Sequence, residues 1–319
     1  MPIDRLDETQ RALGAASIAV FVWGFGPLLV RGVDASAGAI TFWRFALAQP
    51  VMIGAAYLLG GGLSIRVLRR AVVPGLLFSV SMLASFLSYQ KTSIVNASLI
   101  GSLQPALLLV VAPILFGTRT TLRQVAFGSV ALGGVVLLVV GAGGTNGSSW
   151  VGDAWAAFNL VLWTVYFVLV QRIRDDGEDA TSILAAVFLM SFVFAAPVTL
   201  LTADDVGSVG WGGIGLVALM AIGPGLVGHG LMTWSQRTLD IRVASLLGLA
   251  SPVVSSVGAW MIFSQGLRVL QAVGGVLVLA GLAGVVTGGG MTRRASPVPA
   301  PISEADRLAM SEARRRLLS

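Results

Sequence analysis

Residues 95–116, VNASLIGSLQPALLLVVAPILF, recur in outline 147 positions later as residues 242–263, RVASLLGLASPVVSSVGAWMIF. A single inserted residue would break this register, so the match indicates an internal repeat. Both stretches are apolar runs of about 20 residues, the length that an α-helix needs to cross a bilayer. The matching pairs include Ala97 and Ala244, Ser98 and Ser245, Leu99 and Leu246, Gly101 and Gly248, Pro105 and Pro252, and Phe116 and Phe263.

The composition of the whole chain agrees with membrane-spanning helices. Of its 319 residues, 55% are hydrophobic and 11% are charged, whereas a soluble domain carries about 25% charged residues. A surface so poor in charge excludes a soluble enzyme, a disordered chain and a disulfide-rich secreted module. Because the chain has no cysteine, disulfides, thiolate metal sites and a cysteine nucleophile are excluded as well.

Apolar runs separated by short polar breaks predict ten spans. The runs are too long and too continuous for the strands of an outer-membrane barrel, and helices satisfy their own backbone groups in lipid. The 147-residue shift places span four on span nine and span five on span ten, so each repeat holds five spans. An odd number of spans turns the second repeat over. The sequence therefore predicts an all-α membrane protein of two inverted five-helix repeats, with spans near 12–30, 37–59, 71–90, 95–116, 121–141, 152–171, 180–201, 211–234, 243–263 and 268–287.

The positions of the cations fix the predicted topology. Arg31, Lys91 and Arg268 lie on one side and Arg44 lies inside a span, which leaves 17 of the 21 Lys and Arg residues on the other side. Cytoplasmic loops carry the excess of cations, so both termini are expected in the cytoplasm, and the basic charge does not indicate nucleic-acid binding. The predicted parts are the cytoplasmic N-terminus 1–11, the first repeat 12–141, an external loop 142–151, the second repeat 152–288 and a basic cytoplasmic tail 289–319.

Several short motifs, taken in order, resemble a known family. They are Trp23-Gly24 in span one, Arg44-Phe45 in span two, Ala97-Ser98-Leu99 through Gln104-Pro105 to Phe116-Gly117, and Ala244-Ser245-Leu246 through Ser251-Pro252 to Phe263. Together with the five-plus-five repeat they resemble the drug/metabolite transporter (DMT) superfamily, specifically its ten-span EamA-type permeases. The resemblance covers about residues 11–288. It implies export of small metabolites, such as amino acids or their analogues, nucleosides and toxic compounds.

The sequence departs from this family pattern at acidic positions. Members commonly end spans four and nine in Gly-Glu, whereas Thr118 and Gln265 occupy the matching positions here. Small multidrug relatives use a membrane-embedded glutamate for proton coupling, and this chain has no equivalent. Its acidic residues lie at termini, in loops or near span ends. The usual carboxylate proton relay is therefore absent, which favours a uniporter, an exchanger or coupling through another group.

Two ionisable residues within the predicted spans are candidates for solute binding. Arg44 lies eight residues into span two, where a charge costs about 2.5–3.5 kcal/mol on insertion scales. It either recognises a carboxylate or phosphate, or locks helices by donating to helix-end carbonyls, or snorkels towards the membrane surface. His229, the only histidine, lies in span eight between Gly228 and Gly230. It either hydrogen-bonds solute, or carries a proton, or bonds to a neighbouring helix.

Aromatic and uncharged polar residues complete the predicted site. Trp23 and Trp163 lie ten or more residues into their spans, too deep for the usual interfacial role, so they line a cavity or pack between helices. Tyr89 shares a helical face with serines of span three. Gln104 and Asn159 supply hydrogen bonds. With Arg44 and His229, these are the predicted substrate-binding residues, in a cavity between spans one, three, four, six, eight and nine.

The resulting prediction is a secondary transporter of the inner (plasma) membrane that exports a small-molecule solute by alternating access between inverted repeats. Ten spans enclose a cavity, so a functional monomer in the lipid bilayer is expected, without nucleic acid, cofactor, metal or catalytic residue. No metalloprotease or phosphate-loop motif occurs, which argues against an enzyme. The alternative is a non-transporting membrane scaffold or sensor that signals through its basic C-terminal tail.

Overall fold

The computed structural model describes residues 3–92, 94–104, 107, 121–142, 149–263 and 269–287. The elements in these ranges are helices. In chain order they are α1 (Ile3–Gly32), α2 (Ala37–Leu59), α3 (Ile65–Lys91), α4 (Ile94–Gly101), α5 (Leu122–Ala142), α6 (Trp150–Asp175), α7 (Ala180–Thr202), α8 (Trp211–Met220), a π-helix (Ala221–Gly228), α9 (His229–Ser235), α10 (Ile241–Gly248), α11 (Ser251–Phe263) and α12 (Val269–Thr287).

Six helical runs in the described residues are long and apolar enough to cross a membrane, judged by length and composition. Large apolar side chains lie on the outside of the bundle, among them Leu58 and Leu122. The protein is therefore an all-helical, multi-pass membrane protein. The six runs correspond to predicted spans one, two, three, six, seven and eight, and they are Glu8–Gly32, Ala37–Leu59, Ile65–Lys91, Trp150–Asp175, Ala180–Thr202 and Trp211–Ser235.

Predicted span nine is not one continuous helix. α10 ends at Gly248 and α11 begins at Ser251. Pro252 has no N–H to donate to a carbonyl one turn earlier. The chain instead closes α10 with tight bonds from Leu249 N–H to the Leu246 carbonyl and from Ala250 N–H to the Leu247 carbonyl. The stretch predicted as span nine, 243–263, is therefore represented by two helices with an interruption at residues 249–250.

Predicted span eight holds a π-helical segment, Ala221–Gly228, between α8 and α9. Pro224 lies inside it and removes one donor from the backbone ladder. π-helical turns are rare and are often found at functional sites. The Gly-Pro-Gly sequence at 223–225 marks the segment, but the apolar pattern alone predicts a regular helix.

Several predicted features lie outside the described residues. These are most of span four beyond Gln104, most of the external loop 142–151, and the tail 289–319, together with Pro105, Thr118 and Gln265. Spans five and ten are represented by α5 and α12.

A buried aromatic cluster lies where α2, α3 and α7 meet. Phe45, Phe78 and Phe188 are fully buried there, with ring centroids 5.5 Å, 5.8 Å and 5.2 Å apart. Such edge-to-face and tilted pairs add to the energy of burial. The cluster fixes three long helices beside the cavity described below.

α5 and α12 pack backbone to backbone through glycines. A Cβ at Gly134 would lie 2.7 Å from both the Gly274 carbonyl oxygen and the Val278 nitrogen. A Cβ at Gly281 would lie 2.6 Å from the Ala131 nitrogen and 2.8 Å from the Phe127 carbonyl oxygen. Small residues allow this approach in membranes, where packing drives helix association. Under the 147-residue shift each contact is the counterpart of the other.

Gly134→Ala is expected to destabilise the protein by about 1–3 kcal/mol, because overpacking of this order follows when a tight contact must open. The matched control is Gly133→Ala, whose Cβ meets no atom within 4 Å. Thermal unfolding of the purified protein in detergent measures both. Equal melting temperatures for the two variants would contradict the close packing of α5 on α12.

The start of α2 is tied to the loop after α7. The Ser36 hydroxyl accepts a hydrogen bond from the Ala39 N–H and so caps the helix. The Ser36 N–H and hydroxyl in turn donate to the two carboxylate oxygens of Asp205, both at 2.6 Å. Although burial raises the pKa of Asp205, these hydrogen bonds outweigh it and hold the pKa below its ordinary value.

Asp205→Ala is expected to lower the free energy of unfolding by up to about 1 kcal/mol at neutral pH, as for the loss of a helix cap. A depressed carboxyl pKa stabilises the fold above the ordinary value of 3.8, and that contribution is lost as the pH falls through the lower folded value. The difference from wild type should therefore disappear in acid. Asp204→Ala, at the exposed neighbour, is the control, and an equal loss there would contradict the assignment.

Candidate functional site

A cavity of about 190 Å³ lies between α1, α2, α3, α4, α6, the π-helix, α9 and the break between α10 and α11. All seven residues predicted to bind substrate line it. Each of the six spans expected to surround the site, spans one, three, four, six, eight and nine, contributes lining residues. Helix α2 contributes as well, through Arg44. Binding at these residues remains a prediction. The seven are Trp23, Arg44, Tyr89, Gln104, Asn159, Trp163 and His229.

Three of these residues form an aromatic wall. The ring centroids of Trp23 and Trp163 are 5.9 Å apart, and those of Trp23 and His229 and of Trp163 and His229 are 5.2 Å and 5.5 Å apart. His229 also packs edge-on against Phe78 and Phe188 and is 4% exposed. Aromatic rings surround His229. One interpretation of the sequence was instead a hydrogen bond from His229 to a neighbouring helix.

The π-helix sets the position of Trp23. The indole N–H of Trp23 donates to the Pro224 carbonyl oxygen at 3.0 Å. A Cβ at Gly228 would lie 2.5 Å from the Trp23 indole nitrogen. Only glycine lets the backbone of this segment come so close to the ring, which explains one of the two glycines that flank His229.

The polar side of the cavity is built by α3, α6, α4 and the residues that follow α4. The Ser81 hydroxyl donates to the Asn159 side-chain oxygen at 2.6 Å, which holds the amide against α3. Gln104 is 8% exposed, and its side-chain nitrogen has no hydrogen-bond partner in the described part of the chain. These amides and Tyr89 offer hydrogen bonds to a polar solute.

Arg44 brings a positive charge to the same cavity. One of its terminal nitrogens lies 2.8 Å from the Met82 sulfur, and its guanidinium lies 5.5 Å from the centroid of the Phe86 ring. The side chain is 5% exposed. Among the described residues, the lining contains no Asp or Glu.

Other lining residues were not among the seven predicted to bind substrate. Met82, Ser85 and Phe86 of α3 lie one helical turn from Tyr89 or on the same face, and the helical repeat on that face could have identified them. Pro224 and Pro252 line the cavity because the helices are irregular there. That irregularity depends on tertiary contacts, such as the bond from the Ser255 hydroxyl to the Gly24 carbonyl at 2.7 Å.

One side of the cavity is closed by two successive layers. The first is aromatic, with the rings of Phe78 and Tyr166 stacked 4.8 Å apart beneath His229. The second is polar: Arg174 donates to the Thr233 carbonyl at 3.2 Å and to the Gln236 side-chain oxygen at 2.8 Å. Both layers lie toward the N-terminal end of α3 and the C-terminal end of α6.

Ion pairs cover the outer surface of this side. Residues of the α6–α7 turn bind cations of α3 and of the segment after α9. The pairs are Arg66 with Glu178 at 3.2 Å, Arg70 with Asp176 at 3.2 Å, and Arg237 with Asp179 at 3.1 Å.

Gly228→Ala is expected to displace the Trp23 ring and to lower the melting temperature by several degrees, because its methyl group meets the indole. Gly230→Ala is the matched control, since a Cβ there meets no atom within 4 Å. In a Trp23→Leu background the two glycine variants should become equivalent. Equal effects of Gly228→Ala with and without Trp23 would contradict the contact, because residues in contact do not act additively.

In the described ranges no group of three or more His, Cys, Asp or Glu side chains could hold a metal ion. The arrangement instead offers an aromatic surface, several hydrogen-bond donors and one buried cation around a small space. Such a mixture of apolar wall and few polar groups is typical of small-molecule sites.

Comparison with known proteins identifies relatives along most of the chain. The family model of the EamA-like transporter family matches residues 10–140 and again residues 150–287. The "Uncharacterized transporter YyaM" of Bacillus subtilis (strain 168) is 28% identical over 273 residues, which cover 79% of this chain and 84% of that protein.

A solved crystal structure, described only as that of a protein, has a similar fold. Its TM-score is 0.72 at 22% sequence identity, and the likeness covers 86% of this chain and 96% of the other chain. At that identity the similarity concerns the fold alone.

Proposed function

The chain belongs to the EamA-like transporter family of the DMT superfamily, and we propose that it is an inner-membrane secondary transporter that exports small metabolites by alternating access. The cavity is the observation that carries this proposal. It draws Trp23, Arg44, Tyr89 and Gln104 from the first matched stretch and Asn159, Trp163 and His229 from the second.

In this proposal the chain forms ten spans in two inverted five-helix repeats. The double family match and the reciprocal glycine contacts of α5 and α12 support it. Transporters of that design hold solute near the midplane, between the repeats and beside discontinuous helices. The π-helix and the α10–α11 break both border the cavity, as such a design requires.

The size of the cavity favours a small solute. Its volume is about 190 Å³, below the roughly 300–1,000 Å³ of sites for drug-sized ligands. The aromatic wall formed by Trp23, Trp163 and His229 suits a solute with an apolar, planar part. A small metabolite therefore fits better than a bulky drug.

The closed side supports an alternating mechanism. With both termini in the cytoplasm, the aromatic layer, the Arg174 layer and the ion pairs face the cytoplasm, and the structure corresponds to a state closed on that side. Exposed ion pairs contribute about 0–1 kcal/mol each, so they can separate when the cavity opens inward. One chain encloses the cavity, which supports a functional monomer.

Trp163→Ala and His229→Ala are expected to reduce flux at least tenfold, because each removes a face of the cavity. The solute is first identified by comparing metabolites in the medium of cells with and without the protein. Its flux is then measured in proteoliposomes, with and without an imposed pH gradient.

Trp155→Ala is the control for Trp163→Ala, since Trp155 lies on the same helix and outside the cavity lining. Its flux should stay within about twofold of wild type. Unchanged flux in both cavity variants, with the fold intact by thermal unfolding, would refute the site. A protein that moves no solute but loses a cytosolic partner on deletion of 289–319 would instead support the scaffold interpretation.

A further inference from the structure

The guanidinium of Arg44 has more hydrogen-bond donors than its neighbours in the described ranges can accept. A guanidinium has five N–H donors and no acceptor, yet the contacts of Arg44 are a thioether sulfur at 2.8 Å and the face of Phe86. Sulfur is a weak acceptor. The Arg44 Nε is buried without a hydrogen-bond partner in the described part of the chain.

Arg174, another buried arginine of the same protein, has oxygen acceptors for one of its terminal nitrogens. It is 7% exposed, and its Nη1 donates to the Thr233 carbonyl and to the Gln236 amide oxygen. Arg44 is 5% exposed and is bound to neither a carbonyl nor an amide oxygen among the described residues. The interpretation of Arg44 as a lock on helix-end carbonyls therefore lacks its contacts, and burial excludes snorkelling to the surface.

The cavity does not neutralise this charge from within. Its described lining contains no Asp or Glu, and the carboxylates that form ion pairs with arginines in the described ranges lie at the end of α6 or in the α6–α7 turn. A buried charge is costly unless it is paired. An anion that enters the cavity would supply the missing partner, and hydrogen bonds between charged groups are about twice as strong as neutral ones.

The remaining lining defines the rest of such a ligand. The unpartnered amide nitrogen of Gln104 is a second buried donor, while Trp23 and Trp163 present aromatic surface. A positively charged group on the ligand would find no carboxylate in the described lining. The cavity should therefore bind cations and zwitterions more weakly than anions.

We propose that the cavity selects small organic monoanions, a carboxylate joined to a planar apolar group, with Arg44 as the group that binds the carboxylate. The inference rests on the proposed function in taking this cavity as the solute site. It restricts the proposed solutes to those with a single negative charge. Amino acids, which carry an ammonium group beside the carboxylate, become poorer ligands than the corresponding acids without it.

Equilibrium binding to the purified full-length protein in detergent tests this separately from transport. The probes share one phenyl group and differ in charge: 3-phenylpropionate, 3-phenylpropanamide, phenylalanine and phenethylamine. Tryptophan fluorescence and calorimetry report binding. At neutral pH, 3-phenylpropionate should bind at least about tenfold more tightly than each of the others, as expected for a charge-assisted hydrogen bond.

Variants at Arg44 then assign the preference to its charge. Arg44→Met should abolish the difference between 3-phenylpropionate and its amide, while Arg44→Lys should keep part of it, because lysine retains the charge but not the planar fork. Arg123→Gln, at an exposed cation of α5, should keep the full preference. If Arg44→Met does not fold, the affinities of the wild-type protein for 3-phenylpropionate and 3-phenylpropanamide decide whether the proposal stands.

Several results would overturn the proposal. They are equal affinity for acid and amide in the wild type, tighter binding of phenylalanine or phenethylamine, no binding of 3-phenylpropionate up to about 10 mM, or an unchanged preference in a folded Arg44→Met. A binding preference without any flux in proteoliposomes would instead refute the transport function and leave the anion site standing.

Discussion

Hydrocarbon offers no hydrogen-bond partner, so backbone within a bilayer must satisfy its own polar groups. Long helices follow from this constraint, and so does the location of their interruptions. The π-helix Ala221–Gly228 and the break after α10 both border the cavity, enclosed by protein. There, Trp23 donates to the Pro224 carbonyl and Ser255 to the Gly24 carbonyl. Irregular backbone thus occurs where side chains bind its carbonyls, and the same irregular segments border the cavity.

The length of the apolar runs carries enough information to predict the long membrane-spanning helices. The ends of the six long runs were predicted to within six residues, because an apolar run in lipid has few alternatives to a helix. The seven candidate residues meet in one cavity because polar and aromatic groups at depth in a membrane are costly unless they face the interior. The distance of a residue from the ends of its predicted span can be read from the sequence. Most of the prediction of the site rests on that distance.

What the sequence leaves out depends on contacts between distant segments. The π-helix contacts the Trp23 ring at Pro224 and Gly228, and the Ser81–Asn159 bond joins α3 to α6. Arg174, expected in a cytoplasmic loop, lies in the last turn of α6, because the helix continues beyond the predicted end of span six. Its carbonyl and amide partners come from α9 and the residue after it. No periodicity within one helix encodes such pairings.

The glycine contacts between α5 and α12 have the reciprocal form of a two-fold interface, but their members are no longer alike. Phe127 stands where its counterpart is Gly274, and Ala131 where its counterpart is Val278. Exchanging the roles of the two halves would therefore place a phenyl ring where the other half presents bare backbone. Under the alternating-access mechanism proposed above, the inward-facing and outward-facing forms would therefore not be mirror states of equal energy. The unequal residues would then bias the resting protein toward one side of the membrane, before any gradient or solute acts on it.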